Sequence, residues 1–285
     1  MESNFKSQIF ADSEEAYARG IEQIDAYHRL VASQPRYSLI TNQQELESVV
    51  ASWQTVDAQA HKVGLVLMME GAASIRQPAE IGEWYERGVR SIILAWQATQ
   101  YAGASGDAEG LTDLGRELLA NMAELNMIVD ISHLSRNAYL EALDTYPGPI
   151  VASHSNPITF VNTDRGISNE AIRKVGERDG VVGIMLFNRF LNSEWTFDTP
   201  PGLVTIQTVV DAIDAVVQLT GSTAHVAIGS DFDGGFGAEA IPLGMDTVAD
   251  LLMIGDALAA DGYSTEDIEA IMNGNWLRIL RRSLP

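Results

Sequence analysis

The chain has 285 residues, is 46% hydrophobic and carries 24 Gly against 9 Pro, ample material for a large core. Its 39 Asp and Glu outweigh 18 Lys and Arg to give a net charge of -21, which argues against nucleic acid and anionic membranes as partners. The absence of cysteine excludes disulfides, thiolate metal ligands and a cysteine nucleophile.

Met1–Lys6 lacks the basic-then-apolar profile of a signal peptide, and no apolar run approaches the roughly 20 residues of a membrane span, so a cytoplasmic protein is expected. Ser13 to Ser33 reads as a helix: Ser13 offers a cap, Glu14 and Glu15 suit the first turn, and Ile21, Ile24, Tyr27, His28 and Val31 recur at helical spacing. Pro35 stops it, and Asn42 to Trp53 forms a further short helix. Lys62 to Glu70 is an apolar strand closing on a carboxylate, followed by Gly71-Ala-Ala, small enough for a tight turn. Ile81 to Gly88 is helical, and Val89 to Ala95 is a strand ending at Trp96.

The small-residue stretch Ala102–Gly110 is a loop on the strand-exit side, and Thr112 caps a helix reaching Leu125. Met127–Ser135 and Pro149–Asn156 are short β-branched runs, each ending in Ser-His, with a helical pattern from Leu134 to Asp144 between them. Beyond these come a helix from Ser168 through Val175, a strand Gly180–Phe187, a loop Asn188–Gly202 and a helix Val204–Leu219. His225–Ser230 is the last strand, and helices near Asp246–Ala260 and Ser264–Leu280 close the chain.

Strand and helix alternate throughout, which predicts an α/β fold with a parallel sheet and right-handed crossovers. No linker divides the sequence, so residues 1–285 are expected to form a single domain. In a barrel of this class, side chains at the carboxyl ends of the strands converge on one mouth. Glu70, His133, His154 and Asp231 all occupy such positions. Carboxylate and imidazole together suit zinc with an open position for water. A bound ion acidifies that water and polarises a carbonyl, while a spare aspartate shuttles a proton to a leaving amine. The chemistry indicated is metal-assisted hydrolysis of an amide-type bond. His28, His61 and His225 lie on a helix face or at strand starts and read as surface or packing residues.

Glu70-Gly, Val129–Ser135, Val151–Asn156 and Ile228–Gly234 resemble the signatures of the membrane (renal) dipeptidase family of the amidohydrolase superfamily, and Gly274–Ile279 resembles its closing helix. Leu94–Gln97 is similar to the bacterial members. The resemblance runs from about Ala16 to Arg282 and implies a TIM-type (β/α) barrel, two zinc ions and a small dipeptide-like substrate. It further implies that Glu70 bridges the ions, that His133 and His154 hold the second, and that Asp231 shuttles the proton. Arg165 corresponds to the residue that binds the substrate's terminal carboxylate, and a guanidinium fork is the natural partner for that group.

Two features depart from the family. No His-x-Asp occurs, although members begin with a strand that carries it; six strands are recognisable and the first two are expected to be missing. Trp96 also stands where some members place a histidine that contacts the tetrahedral intermediate, as in bacterial relatives. An incomplete barrel exposes sheet edges. The gap is therefore expected to be covered by Ser3–Ala11, by a second copy of the chain, or by both, and a homo-oligomer is anticipated. Three functional readings follow: a metal-dependent dipeptidase, a non-catalytic homologue retaining a half-site of Glu70, His133 and His154, and, more weakly, a phosphate-binding barrel enzyme. The third lacks a phosphate-cradling glycine loop before a helix.

Overall fold

The computed structural model describes residues 10–161 and 163–285. Helix α1 (Ser13–Ser33) is capped by Asp12, whose carboxylate accepts from Glu15 N at 2.9 Å, so the cap falls one residue before the expected Ser13. Strand β1 (Tyr37–Leu39) follows, and its pattern went unread because three half-buried residues carry no periodicity. It pairs in parallel with β2 (Val63–Leu65). That run resumes as β3 (Leu67–Glu70), which pairs instead with β4 (Val89–Ile93). One extended segment therefore stitches two ladders together. From β4 the parallel order continues through β5 (Ile128–Asp130) to β6 (Ile150–Val151). A bridge at Ala152–Val182 carries it to β7 (Val182–Ile184), which pairs with β8 (Val226–Ile228). Every residue of β4, β5, β6 and β7 is buried, as β-branched runs covered on both faces require.

Most of the connecting helices begin on side-chain caps. Asn42 caps α2 (Gln43–Ser52), and α3 spans Ile81–Glu86. Thr112, Ser135 and Ser168 cap α4 (Asp113–Glu124), α5 (Arg136–Thr145) and α6 (Asn169–Glu177), each accepting a backbone N–H three residues on. A cap of this kind contributes about 1 kcal/mol. Thr205 and Thr208 form a capping box for α7 (Ile206–Thr220), which Gly221 ends in the left-handed region at φ 74. Helices α8 (Leu252–Ala260) and α9 (Thr265–Glu269) precede a π turn over Ala270–Gly274, which leads into α10 (Asn275–Ser283). The single closing helix expected over Ser264–Leu280 is therefore interrupted. Among the described residues no helix is long and apolar enough to cross a membrane.

Helix α10 ties together the two ends of the strand order. Asn275 donates to Thr223 O at 2.7 Å and Val226 O at 2.8 Å, and Trp276 donates to Ile228 O at 2.9 Å, fixing the helix to β8. Ile279 packs against Ile128, Val151, Val181 and Ala227. A little further on, Leu284 joins Ile40 and Leu46, and Gln43 N donates to Pro285 O at 3.0 Å. Much of the expected N-terminal cover, Ser3–Ile9, lies outside the described residues. Within them, the element that spans from β8 to the β1 side is the C-terminal helix.

Close packing at the upper ends of β6, β7 and β8 depends on two glycines. A Cβ on Gly183 or on Gly229 would lie 1.9 Å from the Ser153 carbonyl oxygen, so neither position has room for a side chain. Ser153 immediately precedes His154, and the glycines thereby set how near that histidine sits to its neighbours. Truncation of a buried isoleucine typically costs about 2–5 kcal/mol. Ile279→Ala should fall in that range by urea unfolding, whereas Leu252→Ala, at a 74% exposed position, should stay within about 0.5 kcal/mol. Equal effects would show that α10 is not part of the core.

Candidate metal centre

Three elements deliver the site. Glu70 is the last residue of β3, His133 lies in the turn after β5, and His154 in the turn after β6. Glu70 Oε1 is 3.1 Å from His133 Nε2 and 3.2 Å from His154 Nε2, and the two imidazole nitrogens are 2.9 Å apart. These residues form a group able to hold a metal ion, and no other group of three such side chains occurs among the described residues. A tetrahedral zinc with bonds of about 2.0–2.1 Å has neighbouring donors about 3.3 Å apart, close to the observed edges.

The triangle is short of protons. Each edge needs a hydrogen to be a hydrogen bond, yet the two Nε2 atoms facing one another cannot both donate. Burial pushes the His133 imidazole down to about 4, helped by the positive charge of Arg165 and opposed by Glu70, so this ring is neutral near pH 7. Burial works to raise the Glu70 carboxyl, but the adjoining His133 and His154 imidazoles outweigh it and hold the group well below the usual carboxylate range. An ionised carboxylate and imidazole lone pairs turned toward a common point fit a divalent cation.

Surrounding groups set the orientation of each ligand. Ser153 Oγ lies 2.7 Å from His154 Nδ1; when the ring donates there, Nε2 presents its lone pair to the centre. His154 N donates to Ser132 Oγ at 3.1 Å, which joins the two Ser-His turns. His133 adopts a positive φ of 64, a strained conformation for a side-chain-bearing residue. Its carbonyl is gripped by Ser105 through N at 2.7 Å and Oγ at 3.1 Å. The small-residue loop read from the sequence is thus the clasp on this strained turn. Gly103 supports it, since a Cβ there would lie 2.4 Å from Glu109 O.

Asp130, ambiguous in the sequence, is fully buried, and its Oδ1 accepts from Ser132 N and Ser153 N, each at 3.0 Å. It braces the backbone of both turns and does not orient an imidazole through these bonds. Arg165 donates to Ser155 Oγ at 3.2 Å and His154 O at 2.8 Å and approaches His133 Nε2 at 3.2 Å, while its Nε has no hydrogen-bond partner. Burial draws this guanidinium down to about 10, against the pull of Asp231, Asp130 and Glu70, and it remains charged at neutral pH. Asp231 follows β8 with a φ of 55, and burial, reinforced by the Glu70 charge, raises its carboxyl above the ordinary aspartate range. The Arg165 charge opposes that shift. A Cβ on Gly234 would come within 2.6 Å of its carboxylate, so that glycine makes room for it.

The Trp96 ring is tilted 6.0 Å from that of His133 and walls one side of the site. His28, His61 and His225 are elsewhere: His28 reaches Arg87 O, His61 stacks on Trp53, and His225 reaches Gly180 O. Sequence reading missed the roles of Ser153, Ser105 and Ser132. The Ser-His pairing was visible, but which serine serves which histidine depends on two turns meeting in space.

An imidazole pair and a carboxylate at the carboxyl ends of parallel strands define a candidate metallohydrolase centre on an α/β fold. The chain belongs to the membrane dipeptidase family (peptidase family M19), whose model matches residues 5–283. An uncharacterised protein from the pqqA 5' region of Klebsiella pneumoniae is 30% identical over 229 residues, covering 77% of this chain and 82% of that one. An uncharacterised dipeptidase of Schizosaccharomyces pombe is 28% identical over 272 residues, 93% of this chain but only 62% of its own length. Among solved structures, a metallo peptidase from Rhodobacter sphaeroides, liganded with a phosphinate mimic of L-Ala-D-Ala, superposes with a TM-score of 0.77 at 25% identity. That match covers 90% of this chain and 73% of the other.

Removing a hydrogen bond that orients a metal-binding histidine typically costs 10–100-fold in affinity. Ser153→Ala should therefore weaken zinc binding about tenfold in a chelator competition titration, while His154→Ala should abolish it. Unchanged affinity in both would remove this triangle as the binding site.

Proposed function

We propose that residues 1–285 act as one metal-dependent hydrolase unit that cleaves the amide bond of a dipeptide or dipeptide-like molecule. The observation that carries the reading is the proton-deficient triangle of Glu70 Oε1, His133 Nε2 and His154 Nε2, with edges of 2.9–3.2 Å. Family membership supports the reaction class, and two imidazoles with an ionised carboxylate suit zinc. A zinc ion held there supplies Lewis acidity and lowers the pKa of a bound water toward 7.

The chain's own residues carry the remaining steps. Glu70, His133 and His154 would hold the ion. Asp231 takes a proton from the attacking water and passes it to the departing amine nitrogen, and a carboxyl raised above its ordinary range is better matched to that exchange. Arg165 holds the substrate's terminal carboxylate, for which a charged guanidinium beside the triangle is the natural partner. Trp96 shields one side of the reacting centre, and its indole N–H is a donor only.

A second reading, a non-catalytic homologue that binds ligand through the half-site, draws on the absence of His-x-Asp. Metal content and turnover together separate the two. The zinc-loaded chain should hydrolyse members of a dipeptide panel, and Asp231→Asn should lower kcat about 10²–10⁴-fold while zinc content stays unchanged. Intact activity in that variant would remove Asp231 from its role, and zinc binding without any turnover would favour the half-site protein.

A further inference from the structure

The loops leaving β7 and β8 bring five aromatic rings into one cluster. Phe187 stands at its centre, stacked on Phe236 with centroids 4.5 Å apart and planes 10° from parallel. It meets Phe190 edge-on at 5.3 Å and Trp195 at 6.0 Å, and Phe197 lies 5.0 Å from Trp195. A satellite core beneath a long loop hides its rings from water. Here Trp195 alone is hidden, at 6% exposure, while Phe187, Phe190 and Phe236 remain half-buried and Phe197 is 46% exposed. The cluster therefore packs on the core at Trp195, Phe187 and Phe236 and still leaves apolar ring surface open to water, most of all at Phe197.

That surface is fixed relative to the metal centre. Asn156, two residues beyond His154, accepts from Met185 N at 2.9 Å and donates to Met185 O at 3.0 Å and Phe190 O at 2.7 Å. Asn188 donates to Ile241 O at 2.9 Å and so ties the loop after β7 to the segment after β8. The Arg165 guanidinium carbon lies 5.7 Å from the Phe190 ring centroid, within cation–π range, and the same guanidinium approaches His133 Nε2 at 3.2 Å. Arg165 thus stands between the metal triangle and the aromatic rings.

We propose that this aromatic patch seats the side chain of the substrate residue that carries the terminal carboxylate, so that the chain prefers dipeptides with a large apolar C-terminal residue. The inference rests on the hydrolase reading above, through Arg165 as the carboxylate's partner. A carboxylate held on that guanidinium has its own Cα only one bond away, and Phe190 is a ring within cation–π range of the same guanidinium. A large apolar side chain leaving that Cα covers ring surface that water otherwise contacts, and a hydrogen in its place covers none.

The test uses the zinc-loaded full chain with two substrate series, Ala-Gly, Ala-Leu and Ala-Phe against Gly-Ala, Leu-Ala and Phe-Ala. Since single methylenes in an apolar pocket discriminate about 10–200-fold, kcat/KM should rise at least tenfold from Ala-Gly to Ala-Phe, mainly through KM. The second series should vary much less. Phe187→Ala should bring the Ala-Phe to Ala-Gly ratio toward one, Phe187→Leu should retain most of it, and Phe197→Ala, at an exposed position, should lower it without disturbing the loop. A flat first series, a preference that follows the N-terminal residue, or an unchanged ratio in both alanine variants would overturn the inference. If no dipeptide is cleaved, it is the hydrolase reading that fails. Calorimetry with phosphinate mimics of Ala-Phe and Ala-Gly then decides this one: tighter binding of the former supports it, and equal binding overturns it.

Discussion

Three acceptor atoms, one carboxylate oxygen and two imidazole nitrogens, are held within 3.2 Å of one another with too few protons to join them. Left to themselves such groups repel or protonate, and burial makes the repulsion worse. The fold keeps them together because each sits at the end of a parallel strand whose register its neighbours dictate. Glu70 is opposite Ile93, and Asp130 pairs with both Ile93 and Val151; His133 follows three residues beyond Asp130 and His154 three beyond Val151. The sheet is what makes the arrangement tolerable, and a divalent cation is what would make it favourable.

The support around the triangle is built to resist its relaxation. The left-handed turn at His133 costs energy that the Ser105 contacts and the buried Asp130 carboxylate offset. Gly183 and Gly229 admit the Ser153 carbonyl between two strands, where any side chain would displace it. Outside this rigid rim the chemistry is graded. Arg165 keeps its charge in a largely desolvated position, Asp231 is moved toward easier protonation, and the aromatic loops beyond them offer water-accessible apolar surface. A buried cation, a carboxyl and partly exposed aromatic rings thus surround the triangle.

Most of this was legible in the chain itself. Continuous β-branched runs such as Val89–Ile93 and Ile128–Asp130 announce doubly covered strands, and the polar residues that terminate them mark the working face. Thr112 and Ser168 located helices α4 and α6 closely, and apolar spacing located α5 and α7. Strand β1 escaped because three half-buried residues have no period to read, and the Asp12 cap was passed over because Ser13 is an equally good capping type. The π turn at Ala270–Gly274 carries no local signal, since the helical pattern runs through it. The division of labour among Ser132, Ser153 and Asp130 and the convergence of Phe187 with Phe236 depend on contacts between segments far apart in sequence, which one-dimensional periodicity does not encode.

X-ray absorption spectroscopy at the zinc edge, on the chain loaded with zinc at neutral pH, examines the triangle itself. The account predicts a four-coordinate ion whose scattering contains two imidazoles with oxygen completing the shell, and loss of one imidazole in His133→Ala. A zinc environment with no imidazole, or one unaltered by that substitution, would contradict it.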